Sequence, residues 1–461
     1  MPPEAVRAPT APASGSAPAP RETAGGAGAE LPFTPTAAEL IGPEEERNVL
    51  EVLRRRRLWR YEVPSDESFV ARFEAEAEAL LGVRHVHATV SGTAALQVAL
   101  LALGIGPGDE VVIPAITWVG CADAVILCGA VPVPAGVDEC LGLDPADVER
   151  KVTPRTRALL AASLHGNPCD LDALGEIARR RGLALLEDDC QAAGVSYRGR
   201  RLGGFGDAAV FSTNFMKLVS AGDGGFIATD RDDVYAFAVA FTGGKVFPTR
   251  KRHLGLSVPL IPFTTLRMNE LTGAVALAQL RRLDRLLGRL RAARDRIFAQ
   301  VGEGRSFRRV RSHDSAGGAG WCTPLLFPTA AACRAFAAAV RARGVPHLLT
   351  WRDGFAGGEI CHCYPVMAGE QFIPGMGAHS ADRFGAMVAK RSVDPRCNPW
   401  THPLYGGGAD YPEGFADESL ALVARMAMVQ TNPRLEPAHC DAIADALRQA
   451  DDETAAPGPC V

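Results

Sequence analysis

Apolar residues along this chain recur with two different periods, and the alternation between the periods marks out its elements. Residues 43–57 place Val49, Leu50 and Leu53 at helical spacing and close on Arg54 to Arg57, cations that suit a helix C-terminus. A second helix over about 68–81 gathers Phe69, Phe73, Ala77, Leu80 and Leu81 on one side. A short apolar stretch at 87–90 then runs into a turn, Ser91-Gly92-Thr93, and a helix over 94–103. From there short apolar runs at 110–114, 131–137, 158–164 and 183–187 alternate with helical patterns at 117–127, 145–151 and 171–181. Two more strand-like runs, 208–211 and 226–229, flank a glycine-rich turn that contains Lys217. Strands and helices alternating at this spacing predict an α/β fold: a mostly parallel, buried sheet with helices on both faces.

Beyond Asn269 one long helix is expected through Leu271, Ala274, Leu277, Leu280, Leu283 and Leu287, leading to a smaller C-terminal α/β domain. Helical patterns at 331–343 and 438–450 belong to that second unit. The expected organisation is a disordered Pro/Ala-rich tail over 1–34, a large domain over 35–290 and a small domain over 291–461. The first 30 or so residues lack the apolar core of a signal peptide.

Composition narrows the function. A 47% hydrophobic and 22% charged chain is ordinary for a soluble globular enzyme. A net charge of −4 leaves no footprint for nucleic acid or an acidic membrane, and no apolar run is long enough to span a bilayer. The 12 cysteines are scattered without framework spacing, which points to reduced thiols in the cytoplasm. Cys361-His362-Cys363 has no second pair at zinc-site spacing, so no metal is expected.

In open α/β sheets, active sites lie beyond the C-terminal strand ends. His165 and Asn167 fall after one predicted strand, Asp188, Asp189 and Gln191 after another, and Ser212 and Lys217 after a third. A lysine amine titrates near about 10.4 in water, and burial lowers that value and makes it a nucleophile for an aldehyde. A carboxylate directly after an apolar strand needs a charge partner, because its burial alone costs several kcal/mol; Asp188 reads equally as a cap for the next helix. Ser91-Gly92-Thr93 offers backbone N–H groups and hydroxyls to an anion, or serves as a plain N-cap. Trp118 follows the 110–114 strand, where it can stack on a bound ring or fill the core. Strand-Asp, then Lys after a further strand, is the order used with pyridoxal phosphate: the lysine condenses with the aldehyde and the aspartate pairs with the protonated pyridine nitrogen.

The segments V-S-G-T-A-A-L, G-I-G-P-G-D-E-V-V-I-P-A-I-T-W, L-E-D-D-C-Q-A-A-G, G-G-F-G-D-A-A-V-F-S and K-L-V-S-A-G-D-G-G closely resemble the DegT/DnrJ/EryC1/StrS family. These are fold-type I, pyridoxal-phosphate-dependent sugar and cyclitol aminotransferases. The resemblance runs from about Pro43 to Leu447. It implies that Lys217 holds the cofactor covalently, that Asp188 binds the pyridine nitrogen, that Gln191 contacts the phenolic oxygen and that Trp118 stacks on the ring. It further implies phosphate binding by Gly92, Thr93 and Ser212, and a homodimer with the active site at the subunit interface. Dehydratase relatives carry His in place of the lysine, so Lys217 argues for transamination.

Three places depart from the pattern. Thr265 stands where the family's G-Y-N-x-R-M block has the Asn that reaches the neighbouring subunit's phosphate. Asp189 and Cys190 replace two small residues beside the aspartate, and Leu164-His-Gly-Asn replaces His-x-Tyr-Gly. The expected function is transfer of an amino group from Glu or Gln to a keto-cyclitol or keto-sugar in secondary metabolism. Alternatives are a nucleotide-linked keto-sugar acceptor, other pyridoxal-phosphate chemistry, and a cofactor-binding regulatory protein. Lys245, Arg250, Lys251 and Arg252 could hold a diphosphate or form a solvated loop. His402 or Tyr405 could line the substrate mouth.

Overall fold

The structure, a computed structural model, describes residues 37–243, 261–350, 399–400, 402–406 and 416–455. The expected tail over 1–34, the basic cluster Lys245, Arg250, Lys251 and Arg252, and Cys361-His362-Cys363 lie outside the described residues.

The chain opens with α1 (Pro43–Arg55) and α2 (Phe69–Leu81), then β1 (His85–Thr89) and α3 (Gly92–Ala102). The alternation continues through β2 (Glu110–Pro114), α4 (Gly120–Leu127), β3 (Val131–Ala135), α5 (Pro145–Lys151), β4 (Thr156–Ala162), α6 (Leu171–Arg181) and β5 (Ala184–Asp188). A hairpin of β6 (Ser196–Tyr197) and β7 (Arg200–Arg201) precedes β8 (Ala208–Ser212), β9 (Gly225–Thr229) and α7 (Asp232–Phe241). Seven strands form one sheet in the order β1-β9-β8-β5-β4-β2-β3. Only β9 runs against its neighbours, so the sheet is mostly parallel, as the alternation predicted.

Strand side chains alternate between faces, and the core divides accordingly. Val112, Leu159, Leu185 and Phe211 pack toward one layer of helices, while Val111, Leu160, Leu186 and Val210 pack toward the other. The first helix shows a different face from the one its spacing suggested. Leu50 and Leu53 are exposed, and the buried positions are Glu45 and Val52.

The single long helix expected after Asn269 is two helices, α8 (Glu270–Arg281) and α9 (Leu283–Val301). They meet at Arg282, whose ψ of −3° ends the regular turn and whose guanidinium ion-pairs with the buried Glu45 of α1. Beyond them lies a second sheet, built from β10 (Arg308–Arg309), β11 (Cys322–Leu326), β12 (Leu348–Thr350) and β13 (Met426–Gln430) in the order β10-β11-β13-β12. One face, with Leu325, Ala427 and Val429, is covered by α10 (Ala330–Ala342) and a helix over Pro437–Thr454. The other face, with Leu326, Leu349, Met426 and Met428, packs on Ile116, Val137, Leu141 and Leu164 of the larger unit. That contact sets the smaller sheet over the C-terminal edge of the larger one. Among the described residues no helix is long and apolar enough to cross a membrane.

Near β1 a buried ion pair fastens α2. Arg60 and Glu74 meet at 2.7 Å with side chains 6% and 1% exposed, and Glu74 also accepts from the Ala88 amide at 2.9 Å. Replacing Glu74 with Ala strands the Arg60 charge and the Ala88 N–H together. Losing one partner of a buried pair costs about 3–5 kcal/mol. Urea unfolding of Glu74→Ala is expected to show a loss in that range; a loss below about 1 kcal/mol would mean that water reaches the pair.

Candidate active site

Asp188 is the last residue of β5, where the buried strand delivers its carboxylate to the sheet edge. It is 7% exposed. Its Oδ1 accepts from the Cys190 amide at 3.1 Å and its Oδ2 from the Cys121 thiol at 3.0 Å. Burial, then the nearby Asp188 charge, push the Cys121 thiol far above its ordinary range, so it remains an S–H donor. Each carboxylate oxygen keeps a second lone pair for a further donor.

On either side of Asp188 the strand end carries two more acids. Glu187 points to the opposite face and accepts from the amides of Gly203, Phe205 and Gly206 at 3.1, 2.8 and 2.8 Å. Asp189 is fully buried, and burial together with the Glu187 charge holds its carboxyl well above the usual carboxylate range. It therefore sits there as a neutral acid.

A cradle for an anion faces Asp188. α3 begins at Gly92, two residues earlier than expected, because the Ser91 hydroxyl caps the Ala94 amide at 3.0 Å. Gly92 must be glycine: a Cβ there would lie 2.8 Å from Cys190 Sγ and 2.9 Å from Ser212 Cβ. The N-terminal N–H groups of this 11-residue helix, the Thr93 side chain and Ser212 thus converge on one spot. α4 starts later than expected, at Gly120, which leaves Trp118 in the preceding loop. There its indole folds against Gly120, beside Thr93, and it remains 43% exposed.

Lys217 does not sit on a strand end. It lies in the loop between β8 and β9 and is half-buried, with its amide donating to the Asn214 carbonyl at 2.9 Å. Gly224, at φ 116°, turns that loop back into β9; a Cβ there would meet Thr213 Oγ1 at 2.4 Å.

One cavity of about 450 Å³ brings these groups together. Gly92, Thr93, Trp118, Asp188, Gln191, Ser212 and Lys217 all line it. Thr265 is exposed and outside this lining. Tyr405 is also elsewhere, with its hydroxyl donating to Glu110 Oε1 at 2.8 Å at the N-terminal end of β2, the end opposite the cavity. His402 is outside the lining too, its Nδ1 accepting from the Leu404 amide at 3.2 Å.

Several lining residues had no assigned role in the sequence. His165 occupies a left-handed conformation, φ 55° and ψ 24°, which a side-chain-bearing residue adopts at a cost of order 1–3 kcal/mol. Its amide donates to Gln191 Oε1 at 2.9 Å and its ring meets Trp321 edge-on at 5.7 Å. The departure of Leu164-His-Gly-Asn from the family pattern was the available signal. Trp321, Leu349 and Gln430 come from the smaller sheet, and no local motif marks them.

A mostly parallel sheet with a lysine loop, a strand-end aspartate and a helix N-terminus facing one cavity defines a fold-type I pyridoxal-phosphate-dependent transferase. The comparisons with known proteins agree. The model of the DegT/DnrJ/EryC1/StrS aminotransferase family matches residues 40–354, and the chain belongs to that family. It is a pyridoxal-phosphate-dependent aminotransferase.

The GDP-perosamine synthase of Caulobacter vibrioides is 38% identical over 58% of this chain and 69% of that protein. The L-glutamine:2-deoxy-scyllo-inosose aminotransferase of Micromonospora echinospora is 48% identical over 35% of this chain and 39% of that protein. Among solved structures, S. venezuelae DesV in complex with a ketimine intermediate superposes with a TM-score of 0.69 at 28% identity, over 92% of this chain and 99% of that one. A 3-amino-5-hydroxybenzoic acid synthase shares the fold at a TM-score of 0.70, with 23% identity over 92% of this chain and all of that one.

The residues present fit the family's cofactor. The Gly92 cradle suits a phosphate, and Asp188 retains acceptor capacity for a protonated ring nitrogen. Gly92→Ala forces Cys190 or Ser212 away from the helix terminus, an overpacking that costs about 1–3 kcal/mol. Equilibrium dialysis against pyridoxal phosphate is expected to show at least about tenfold weaker binding than wild type; unchanged affinity would place the phosphate elsewhere.

Proposed function

We propose that this chain transfers an amino group from glutamine or glutamate to a keto-cyclitol, with pyridoxal phosphate held by the residues around the cavity. The observation that carries this reading is that Asp188, Lys217 and the N-terminus of α3 line one cavity, since each answers a different part of that cofactor. Lys217 Nζ would hold the cofactor covalently. Asp188, steadied by Cys121 and the Cys190 amide, keeps the pyridine nitrogen protonated. Gly92, Thr93 and Ser212 bind the phosphate, Trp118 covers the ring, and Gln191 offers its side-chain NH₂ to the phenolic oxygen. When bound, the cofactor supplies an electron sink for the carbon from which a proton is removed. With the cofactor bound, the Lys217 amine would serve as the base that takes up that proton and gives it back.

Support for the acceptor and donor comes from the Micromonospora echinospora relative, whose name specifies glutamine and a keto-cyclitol. The GDP-perosamine synthases of Caulobacter vibrioides and Vibrio cholerae support a second reading, a nucleotide-linked keto-sugar. The charged groups among the described residues lining the cavity are Asp188, Lys217 and Asp223. A homodimer with shared active sites completes the proposal. Phe215, Phe263, Leu127, Leu50 and Leu53 are all exposed, apolar surface of the sort a second copy would cover.

Borohydride reduction of the cofactor-loaded protein is expected to fix one label on Lys217, located by mass spectrometry, and Lys217→Ala is expected to carry none. A label on another lysine overturns the assignment.

Amine transfer to 2-deoxy-scyllo-inosose is expected to proceed undiminished in the presence of GDP. Strong competitive inhibition by GDP would transfer the acceptor assignment to the nucleotide-linked sugar.

A further inference from the structure

The wall of the cavity facing the cofactor residues is built by the smaller sheet. Three adjoining strands deliver it: Trp321 precedes β11, Leu349 lies in β12 and Gln430 ends β13. Their backbones are fixed. Cys322 pairs with Gln430 across the sheet, the Gln430 amide donates to the His347 carbonyl at 2.8 Å, and the Thr431 amide donates to the Trp321 carbonyl at 2.8 Å.

Gln430 is the unusual member of this wall. It is 5% exposed, yet its side-chain amide makes no hydrogen bond to any described residue. A primary amide has two donors and two acceptor lone pairs, and leaving them unmet inside a protein is costly. Here the amide opens on the cavity instead. Its neighbours are an indole, Leu349, Leu164 and the half-strained His165 packed edge-on against Trp321. The wall is thus uncharged, with a flat aromatic and apolar portion beside one amide that can both donate and accept.

That combination suits a neutral ring with an apolar face and hydroxyl edges. A hydroxyl is itself both donor and acceptor, so one amide can engage it in two ways. A site built to hydrogen-bond a substrate hydroxyl rejects analogues that lack it, because its own polar group is then left unmet.

We infer that Gln430 is a specificity-determining residue that hydrogen-bonds a ring hydroxyl of the amino acceptor, whose apolar face lies on Trp321. This rests on the aminotransferase reading given above and names the residues of the same cavity that select the acceptor. The chemistry recognised is a polyhydroxylated six-membered ring, whether free or linked to a nucleotide.

Gln430→Met keeps the side chain's length and removes its hydrogen bonds. Covalent cofactor loading of Lys217, read by borohydride labelling, checks that the variant's site is assembled, and Gln430→Asn provides a second variant that retains the amide in a shorter form. Calorimetric titration of the cofactor-free protein with inositol, as the free ring, and with UDP-glucose, as the nucleotide-linked ring, measures binding without turnover. At least one probe is expected to bind wild type and to bind Gln430→Met at least tenfold more weakly, with Gln430→Asn between them; which probe does so identifies the source of the ring. With 2-deoxy-scyllo-inosose as acceptor, KM is expected to rise at least tenfold in Gln430→Met while kcat changes less than threefold. Absence of binding by wild type to both probes, or equal affinity in wild type and Gln430→Met, overturns the inference. Gln430-dependent ring binding in a protein that transfers no amine to 2-deoxy-scyllo-inosose would sustain the ring contact and would instead defeat the keto-cyclitol reading.

Discussion

Three consecutive acids, Glu187, Asp188 and Asp189, stand at the end of the central strand β5, and all three are buried. Burying a carboxylate without compensation is among the costliest things a fold can do, so each has to be answered separately. Glu187 is answered by the backbone of the turn between β7 and β8, where Gly203, Phe205 and Gly206 aim their amides at it. Asp189 is answered by neutralisation, its carboxyl held well above the usual range by burial and by the Glu187 charge. Only Asp188 of the three lines the cavity. It takes one thiol and one amide and turns its remaining lone pairs to the cavity. The surrounding loops, from α4 with Cys121 to the Gly92 cradle against Cys190, are arranged about this one strand end.

Rigidity around Asp188 matters for the chemistry of the family. An aspartate that holds a ring nitrogen protonated works through a fixed distance and a fixed charge, and preorganised groups incur no reorganisation when charge develops. The Cys121 thiol contributes to that stiffness while remaining protonated itself. Lys217 is placed differently, in a loop between two antiparallel strands. A group that must bind, release and move a proton needs more freedom than one that only holds a charge. Under the proposed roles, a strand end for Asp188 and a loop for Lys217 match those two duties.

The cavity has two chemically distinct halves. The larger sheet supplies charge and backbone amides through Asp188, Lys217, Gly92 and Thr93, and the smaller sheet supplies a neutral wall through Trp321, Leu349 and Gln430. Conserving the first half while varying the second would change the acceptor without touching the proton-transfer groups.

Local pattern was enough for much of the fold. Glu110–Pro114, Pro145–Lys151 and Leu171–Arg181 have the bounds that periodicity alone predicts, because each is a single apolar run or stripe between strong breakers. The order of Gly92, Asp188 and Lys217 along the chain likewise pointed to the family and to the candidate site, since those motifs are contiguous in sequence. What periodicity missed depended on contacts distant in sequence. α8 and α9 read as one helix until Arg282 is seen to turn toward Glu45 of α1, and Leu50 and Leu53 read as core until α1 is seen to bury Glu45 and Val52 instead. Gln430 belongs to no local motif; it reaches the cavity only because β13 pairs with β11 and β12 and the sheet packs on Leu164 and Ile116. The sequence by itself therefore determined the fold class, the family and the candidate groups for the cofactor, all carried by short contiguous segments. The tertiary structure alone decided which side chains from the second sheet face them, because that wall is assembled by packing between units far apart in the chain.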